Sequence, residues 1–209
     1  MQTNQKIILA VPAKGLPPEL RQTTFLPMAE DEITATLYGA GLWLGPRPQL
    51  EEMPSFRQII PYVALRCADK WVRYTRTPAG GEQRLHGRVS IGLGGHIDLP
   101  DVSMVGNSID LMKTLGEAAE REVEEELPGI SSSSRRWAGL LVDNDSAVGL
   151  VHIGVVAIWE IDSIPDGPTE DAIAETGLAS LTELEDAESR LETWSLLLVR
   201  HFSSVSTAN

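Results

Sequence analysis

One segment of this sequence has a regular helical pattern, and strand-like segments precede and follow it. From Ser108 to Leu127, apolar residues recur every three or four positions and share one face of a helix. The members of this stripe are Met112, Leu115, Ala119, Val123 and Leu127. Pro128 and Gly129 then end the helix. One long amphipathic helix within a strand-rich chain needs a sheet to cover its apolar face, so the pattern predicts an α+β fold.

The rest of the chain reads mainly as strands, with helices at its C-terminal end. Short β-branched or alternating segments predict strands at residues 6–12, 35–44, 57–67, 70–77, 84–93, 136–143 and 148–161. Helical spacing returns at 180–189 and 190–202, while 131–134 and 162–175 read as loops. We predict a single α+β domain, a mixed sheet flanked by helices. Residues 1–56 would be a β-containing extension packed on a core formed by 57–209.

Composition excludes several classes of function. The 209 residues carry 30 acidic and 17 basic side chains, a formal charge of −13, which disfavours bulk binding to nucleic acid or to anionic membranes. No apolar run approaches the roughly 20 residues of a membrane-spanning helix. A single cysteine, Cys67, cannot form an internal disulfide and reads as a small apolar residue. These features predict a cytoplasmic protein.

Basic residues concentrate in one segment of this acidic chain. Between residues 57 and 88, seven basic side chains accompany only Asp69 and Glu82, so this segment is about +5 and the remainder −18. The seven are Arg57, Arg66, Lys70, Arg73, Arg76, Arg84 and Arg88. A local basic patch favours a small anionic ligand over a polyanion. The alternative is that these cations balance neighbouring acids.

The C-terminal half of the predicted helix contains six glutamates in the ten residues 117–126. At about 100° of rotation per residue, Glu117, Glu120 and Glu124 fall on the outer face, whereas the other three lie together along one edge of the apolar stripe. Those three are Glu122, Glu125 and Glu126. Like charges at this spacing repel, and a divalent cation would remove the cost. Carboxylate oxygens suit Mg²⁺ or Mn²⁺, and Arg121 is spaced to brace the cluster.

A glycine pair lies between the predicted strand at 84–93 and this helix, in the run Gly94-Gly95-His96-Ile97-Asp98. Together with the uninterrupted run Arg121-Glu122-Val123-Glu124-Glu125-Glu126, it resembles the signature of the Nudix hydrolase family over roughly residues 57–204. The resemblance implies a mixed-sheet sandwich between helices. It also implies a Mg²⁺- or Mn²⁺-dependent hydrolase that cleaves a phosphoanhydride bond in a small, nucleotide-like substrate.

The resemblance also implies roles for individual residues. Glu122 and Glu126 would be metal ligands, Glu125 a ligand or the base that acts on water, and Arg121 would orient the carboxylates. The carbonyl of Gly95 would be a further ligand. A last acid, ligand or base, would come from Glu170, Asp171 or Glu175. The candidates for binding substrate phosphates are Arg73, Arg76, Arg84, His96 and Lys113.

The sequence departs from the family pattern in three ways, and the first two support a second hypothesis. Lys113 stands where the first glutamate of the signature is expected, a spacer at 99–110 separates the glycines from the helix, and the ending after Glu126 is one residue longer. The alternative function is therefore a Nudix-fold binding or regulatory module without turnover. The intact glutamate block favours the enzyme. A third possibility is a structural domain whose helix is merely acidic.

A few remaining residues have two readings. His152, within an apolar strand pattern, reads as an interior histidine rather than a catalytic base. Trp43, Trp71 and Tyr74 could stack on a nucleobase, although aromatic residues on strands usually belong to the core. A homodimer is left open, and the substrate is not specified by the resemblance.

Overall fold

The structure is a computed structural model that describes residues 6–77, 86–164 and 173–206. Within these ranges the chain forms a ten-stranded sheet, a two-stranded ribbon and five helices. The strands are β1 Ile7–Pro12, β2 Thr24–Pro27, β3 Trp43–Pro46, β4 Phe56–Cys67, β5 Lys70–Arg76, β6 Val89–Ser90, β7 Gly92–Leu93, β8 Met104–Val105, β9 Ser108–Ile109, β10 Ser132–Val142, β11 His152–Ile161 and β12 Ile173–Ala179. The helices are α1 Glu30–Ala40, α2 Arg47–Leu50, α3 Leu111–Glu126, α4 Leu181–Asp186 and α5 Thr193–Ser206.

The predicted α+β class is confirmed, and hydrogen bonds order six strands of the sheet as β12-β5-β4-β11-β10-β2. By its contacts the chain divides into two compact units. The first comprises Met1–Tyr62, Gly94–Glu120 and Trp137–Val156, and the second Val63–Leu93, Arg121–Arg136 and Ala157–Asn209. The predicted boundary between residues 56 and 57 lies within a segment of the first unit, and that division stays a prediction.

The first unit has an apolar core built from strands and the first part of α3. In this unit β1 pairs antiparallel with β3 and with the start of β4, and β2 pairs with the end of β10. Its fully buried side chains include Leu9, Ile33, Ile59, Leu115 and Ile153. The spacer between the glycine pair and α3 contains the ribbon β8–β9, in which Met104 pairs with Ile109.

The second unit is organised around β5. This strand pairs antiparallel with β12, with the end of β4 and with β6, and the β4–β5 pairing of Cys67 with Lys70 confirms the predicted hairpin. Trp71 of β5 stacks on Phe202 of α5, with ring centroids 4.3 Å apart and planes nearly parallel at 4°. Trp71 and Tyr74 are thus core residues, whereas Trp43 of the first unit is 53% exposed.

Several predicted elements are wrong. Residues 35–40 belong to helix α1, not to a strand, and only Trp43 and Leu44 of the predicted strand lie in β3. Acidic residues at 30–32 favour a helix start, and the Glu32 carboxylate accepts a hydrogen bond from the Ala29 N–H at 2.8 Å.

The predicted loop at 131–134 is also wrong, because β10 already begins at Ser132. The predicted strand 84–93 is broken into β6 and β7, and its first two residues lie outside the described ranges. Within the predicted acidic loop 162–175, residues 173–175 form the start of β12. In the described part of the chain, no helix is long and apolar enough to cross a membrane.

Candidate functional site

The second half of α3 exposes its acids as the helical geometry predicts. Glu117, Glu120 and Glu124 are exposed on the outer face, whereas Val123 and Leu127 of the apolar stripe are buried. The three edge glutamates differ in exposure, since the side chain of Glu125 is 49% exposed, that of Glu122 is 14% exposed, and Glu126 is buried. The three carboxylates along this edge are therefore buried to different extents.

Arg121 joins two of these carboxylates. Its Nη1 atom donates a hydrogen bond to Glu122 Oε1 at 2.6 Å and another to Glu125 Oε2 at 3.2 Å. The two carboxylate oxygens therefore converge on one cationic nitrogen. Arg121 therefore forms an ion pair with Glu125, as its spacing predicts, and its bracing of a metal site stays a prediction.

The chemistry of this donor set fits a hard divalent cation. Glu122, Glu125 and Glu126 bring three formal negative charges to the end of α3 against the single charge of Arg121. Carboxylate oxygens are the ligands that Mg²⁺ accepts, with water completing its octahedron. Over the ranges that the structure covers, no group of three or more His, Cys, Asp or Glu side chains already has the arrangement of a metal site.

Arg76 is held in a buried polar network on the same unit. Its Nε donates to Glu192 Oε2 at 2.8 Å, and the Ser90 hydroxyl donates to Glu192 Oε1 at 2.6 Å. The backbone N–H of Ile91 donates to the Ser195 hydroxyl at 2.9 Å. Burial acts to lower the pKa of the Arg76 guanidinium, but the combined attraction of Glu192, Tyr74 and Glu126, with the hydrogen bond to Glu192, raises that pKa well above its ordinary value. Arg76 is therefore a permanent cation.

Tyr74 lies in the same network. Its hydroxyl donates to the Gly92 carbonyl oxygen at 2.7 Å, and burial raises the pKa of the phenol above its usual range. Repulsion by Glu126 and Glu192 acts in the same direction, whereas Arg76 opposes it. The electrostatic coupling of Glu126 to both Tyr74 and Arg76 joins the carboxylate edge of α3 to this network.

The other predicted substrate-binding residues of the second unit have different surroundings. Arg73 is half-buried on β5, and its Nη1 donates to the carbonyl oxygen of Glu175 at 3.4 Å. The Glu175 carboxylate itself accepts a hydrogen bond from the Thr75 hydroxyl at 2.9 Å. Arg84, Glu170 and Asp171 lie outside the described residues.

Gly95, His96 and Lys113 belong to the first unit. The adjacent Gly94 requires the absence of a side chain, because a Cβ there would lie 2.2 Å from the Pro61 carbonyl oxygen. Lys113 is exposed in the first turn of α3, where its backbone N–H donates to Asp110 Oδ1 at 3.2 Å. Asp110 therefore caps the helix, and the Lys113 side chain has no part in that cap.

His96 and His152 contact each other in this unit. The two Nε2 atoms are 3.3 Å apart, and His96 Nε2 also lies 2.9 Å from Gln58 Oε1. His152 Nδ1 lies 2.8 Å from the Val148 carbonyl oxygen, to which it donates. Both rings are half-buried, so His152 is less enclosed than an interior histidine.

Sequence reasoning did not find two of these arrangements. Glu192 lies 116 positions from Arg76, and no local spacing connects them. The role of the Glu192 carboxylate is evident only from the fold. Likewise, His96 and His152 are 56 positions apart, and only the tertiary structure brings them into contact.

Comparison with known structures identifies the fold. The crystal structure of Tm1382, a proposed Nudix hydrolase, superposes with a TM-score of 0.76 at 23% identity, covering 95% of this chain and 99% of that chain. A Nudix hydrolase from Nitrosomonas europaea gives a TM-score of 0.50 at 16% identity, covering 72% of this chain and 90% of that one. The chain is therefore a Nudix-fold protein, which confirms the resemblance drawn from the sequence.

The sequence comparison gives a narrower placement. No family model matches the chain. Protein YmaB of Bacillus subtilis strain 168 is 32% identical over 159 residues, which cover 73% of this chain and 74% of that protein. The chain belongs to the same family as Protein YmaB.

Proposed function

We propose that this protein is a Mg²⁺- or Mn²⁺-dependent hydrolase that cleaves a phosphoanhydride bond in a nucleoside diphosphate-linked or related small molecule. One observation carries the proposal: Arg121 holds the carboxylates of Glu122 and Glu125 on one cationic nitrogen at the end of α3. The Nudix fold supports it, since the similar structures of Tm1382 and of the Nitrosomonas europaea protein are described as Nudix hydrolases.

In this proposal the acids of α3 hold the metal. Glu122 and Glu126, the two less exposed carboxylates, are ligands, and Glu125 is either a further ligand or the base that takes a proton from the attacking water. Arg121 orients Glu122 and Glu125. When bound, the metal supplies charge stabilisation to the phosphate oxygens and lowers the pKa of coordinated water.

The proposed phosphate contacts on β5 are Arg73 and Arg76. The hydrogen bond of Arg73 goes to a neutral carbonyl oxygen, while its charge also acts on the Glu183 carboxylate. Arg76 is paired with Glu192, which fixes the position from which its guanidinium charge would act on a substrate phosphate. Roles for Gly95, His96, Lys113 and Arg84 rest on the family resemblance.

The alternative is a ligand-binding module of the same fold without turnover. Lys113 at the expected glutamate position favours it, because one carboxylate of the family signature is missing. A hydrolase converts substrate in the presence of metal, whereas the module binds nucleotides and releases no product.

The test is a phosphate-release screen with Mg²⁺ or Mn²⁺ over nucleoside triphosphates, dinucleoside polyphosphates, nucleotide sugars and NAD-type compounds. With a substrate found, Glu125→Gln should lower kcat by about 10²–10⁴-fold if the carboxylate is the base. Glu126→Gln should raise the metal concentration needed for half-maximal rate. Glu117→Gln and Glu120→Gln remove charge from the exposed outer face of the same helix and should leave the rate unchanged.

Two outcomes would contradict the proposal. Substrate binding without product across the whole screen would favour the binding module. Product release at wild-type rates by both Glu125→Gln and Glu126→Gln would show that the chemistry lies elsewhere.

A further inference from the structure

Strand β3 of the first unit has an open edge with exposed apolar side chains. In the described part of the chain it pairs only with β1, in a register that places Leu44 opposite Leu9 and Trp43 opposite Ala10. Trp43 is 53% exposed and Leu44 36%. Charged side chains commonly protect such edges, because an open edge offers free backbone groups to another strand. Residues 33–46 contain no charged side chain, so β3 lacks this protection.

Backbone hydrogen bonds show which groups of β3 face outward. The Leu9 N–H donates to the Ile97 carbonyl oxygen at 3.1 Å, on the side of β1 away from β3. Because successive residues of a strand direct their backbone groups to opposite sides, Leu9 and Leu44 form a non-hydrogen-bonded pair. The bond from the Arg47 N–H to the Lys6 carbonyl oxygen at 2.9 Å fits the same alternation. The N–H and C=O of Leu44 therefore point away from β1.

We propose that β3 pairs antiparallel with β3 of a second copy of this chain, around a two-fold axis at Leu44. In this register the Leu44 N–H of each copy donates to the Leu44 carbonyl oxygen of the other, which satisfies both outward groups. Pro46 lies opposite Leu42 of the second copy and has to supply only its carbonyl oxygen, so its missing N–H costs nothing. Each open edge is consumed by the other, and the assembly closes as a dimer.

The side chains of β3 fit this register. Trp43 lies opposite Gly45 of the second copy, in a non-hydrogen-bonded pair, and glycine leaves room there for an indole. The two Trp43 indoles become diagonal neighbours on one face, a spacing within reach of aromatic side chains. Phe56 packs against the Trp43 ring within each copy, with ring centroids 5.8 Å apart. The pairing therefore covers the exposed indole of each copy with the other.

Charge also favours a second copy at this edge. Two chains of formal charge −13 repel each other, so they can associate only through a surface that is free of acids or has them paired. At the end of β3, Arg47 and Glu51 form an ion pair at 2.7 Å and leave no net charge there. Pairing of two four-residue strands buries little area, which predicts a weak dimer that forms with rising concentration. The proposal does not depend on the hydrolase activity.

The test is sedimentation velocity of the full chain at rising protein concentration. The wild type should pass from monomer to dimer. Leu44→Lys places like charges opposite each other and should remain monomeric. Leu44→Pro removes only the outward N–H and should raise the dimer Kd about tenfold or more, since two hydrogen bonds are lost. The matched control is Val105→Lys, which adds the same charge at a residue of the β8–β9 ribbon that is 62% exposed, and should dimerise as the wild type does.

A cross-link reports the register without a disruptive substitution. Cys67 is the only cysteine, so Leu44→Cys in a Cys67→Ser background has one thiol per copy. Opposite residues of a hydrogen-bonded pair have Cα atoms about 5.5 Å apart, which a disulfide spans. Mild oxidation should link Leu44→Cys into a covalent dimer and leave Val105→Cys in the same background unlinked. Absence of this cross-link, or a dimer that Val105→Lys abolishes and Leu44→Lys retains, would overturn the proposal.

Discussion

Gly94 determines the path of the chain before the spacer. A side chain at this position would collide with the backbone at Pro61, since its Cβ would lie only 2.2 Å from that carbonyl oxygen. The segment that follows is fixed by the hydrogen bond from the Leu9 N–H to the Ile97 carbonyl oxygen at 3.1 Å. His96 lies between these two constraints, which explains how a residue in an irregular segment holds a fixed contact with β4.

His201 provides a prediction about pH at the level of one residue. Burial lowers the pKa of its imidazole, so the folded state binds a proton less readily than the unfolded chain, whose histidines titrate near 6.5. As pH falls below about 6.5, the unfolded state takes up a proton first. The contribution of His201 to stability is therefore present above that pH and is lost below it.

The measurement is the free energy of unfolding from denaturant titrations between pH 7.5 and 5. The wild type should lose more stability on acidification than His201→Gln, which cannot titrate at this position. Acidic side chains contribute to both curves and cancel in their difference. Parallel curves would show that the proton affinity of His201 does not change on unfolding.

Single-residue predictions succeeded where helical geometry alone decides exposure. The outer position of Glu117, Glu120 and Glu124 follows from rotation along one helix, and the structure has all three exposed. The partner of Arg76 could not be predicted in this way, because Glu192 reaches it through the packing of α5 and not through local spacing.

At the scale of elements, a glycine within α3 lowers the stability of the helix. Gly116 lies within the helix, and a Cβ there would meet nothing within 4 Å. Gly116→Ala should therefore raise the free energy of unfolding by about 0.5–1 kcal/mol, since alanine loses less backbone entropy in a helix. Chemical denaturation would measure it. A loss of stability would mean that the helix requires glycine for a reason that its surroundings do not reveal.

The residue that precedes α5, Glu192, forms an ion pair with the partly buried Arg76. Glu192 accepts hydrogen bonds from Arg76 and Ser90 and is almost completely buried. Glu192→Ala should lower the free energy of unfolding by about 1.5–3 kcal/mol, because it removes the charge-assisted hydrogen bond and the counter-ion of the Arg76 guanidinium, whose side chain is 22% exposed. Removing both charges with Arg76→Met and Glu192→Leu should cost much less. Equal losses in the single and double variants would show that the charge pairing is not responsible.

Sequence patterns predicted elements well where one periodicity dominates. Helix α3 and the hairpin of β4 with β5 have strong periodic signals and were found. Helix α1 was missed because residues 35–44 also alternate as a strand would. The features that favour the helix are its acidic first turn and the burial of Ile33 and Leu37, one turn apart. The ribbon of β8 and β9 is too short for periodicity to indicate it.

At the scale of the whole molecule, the negative net charge and the basic segment at residues 57–88 have separate consequences. The formal charge of −13 acts against association with polyanions, and that expectation stays a prediction. The basic segment is used in part for internal pairing: Arg57 donates to the Gly149 carbonyl oxygen, Arg66 pairs with Glu160 and Arg76 with Glu192. Internal pairing therefore accounts for these three arginines, and binding of a small anionic ligand by others of the segment stays a prediction.

The final prediction concerns stabilisation of the molecule by metal. A cation that binds only the folded state at 100 times its Kd adds about 2.7 kcal/mol to the free energy of unfolding. For a chain of this size, that corresponds to a rise in Tm of roughly 5–11 °C. Thermal melts with Mg²⁺ or Mn²⁺ at matched ionic strength should show this rise in the wild type and in Glu117→Gln, and should lose most of it in Glu122→Gln. An equal rise in all three proteins would instead reflect general screening of the net charge, and the helix would then be acidic without being a metal site.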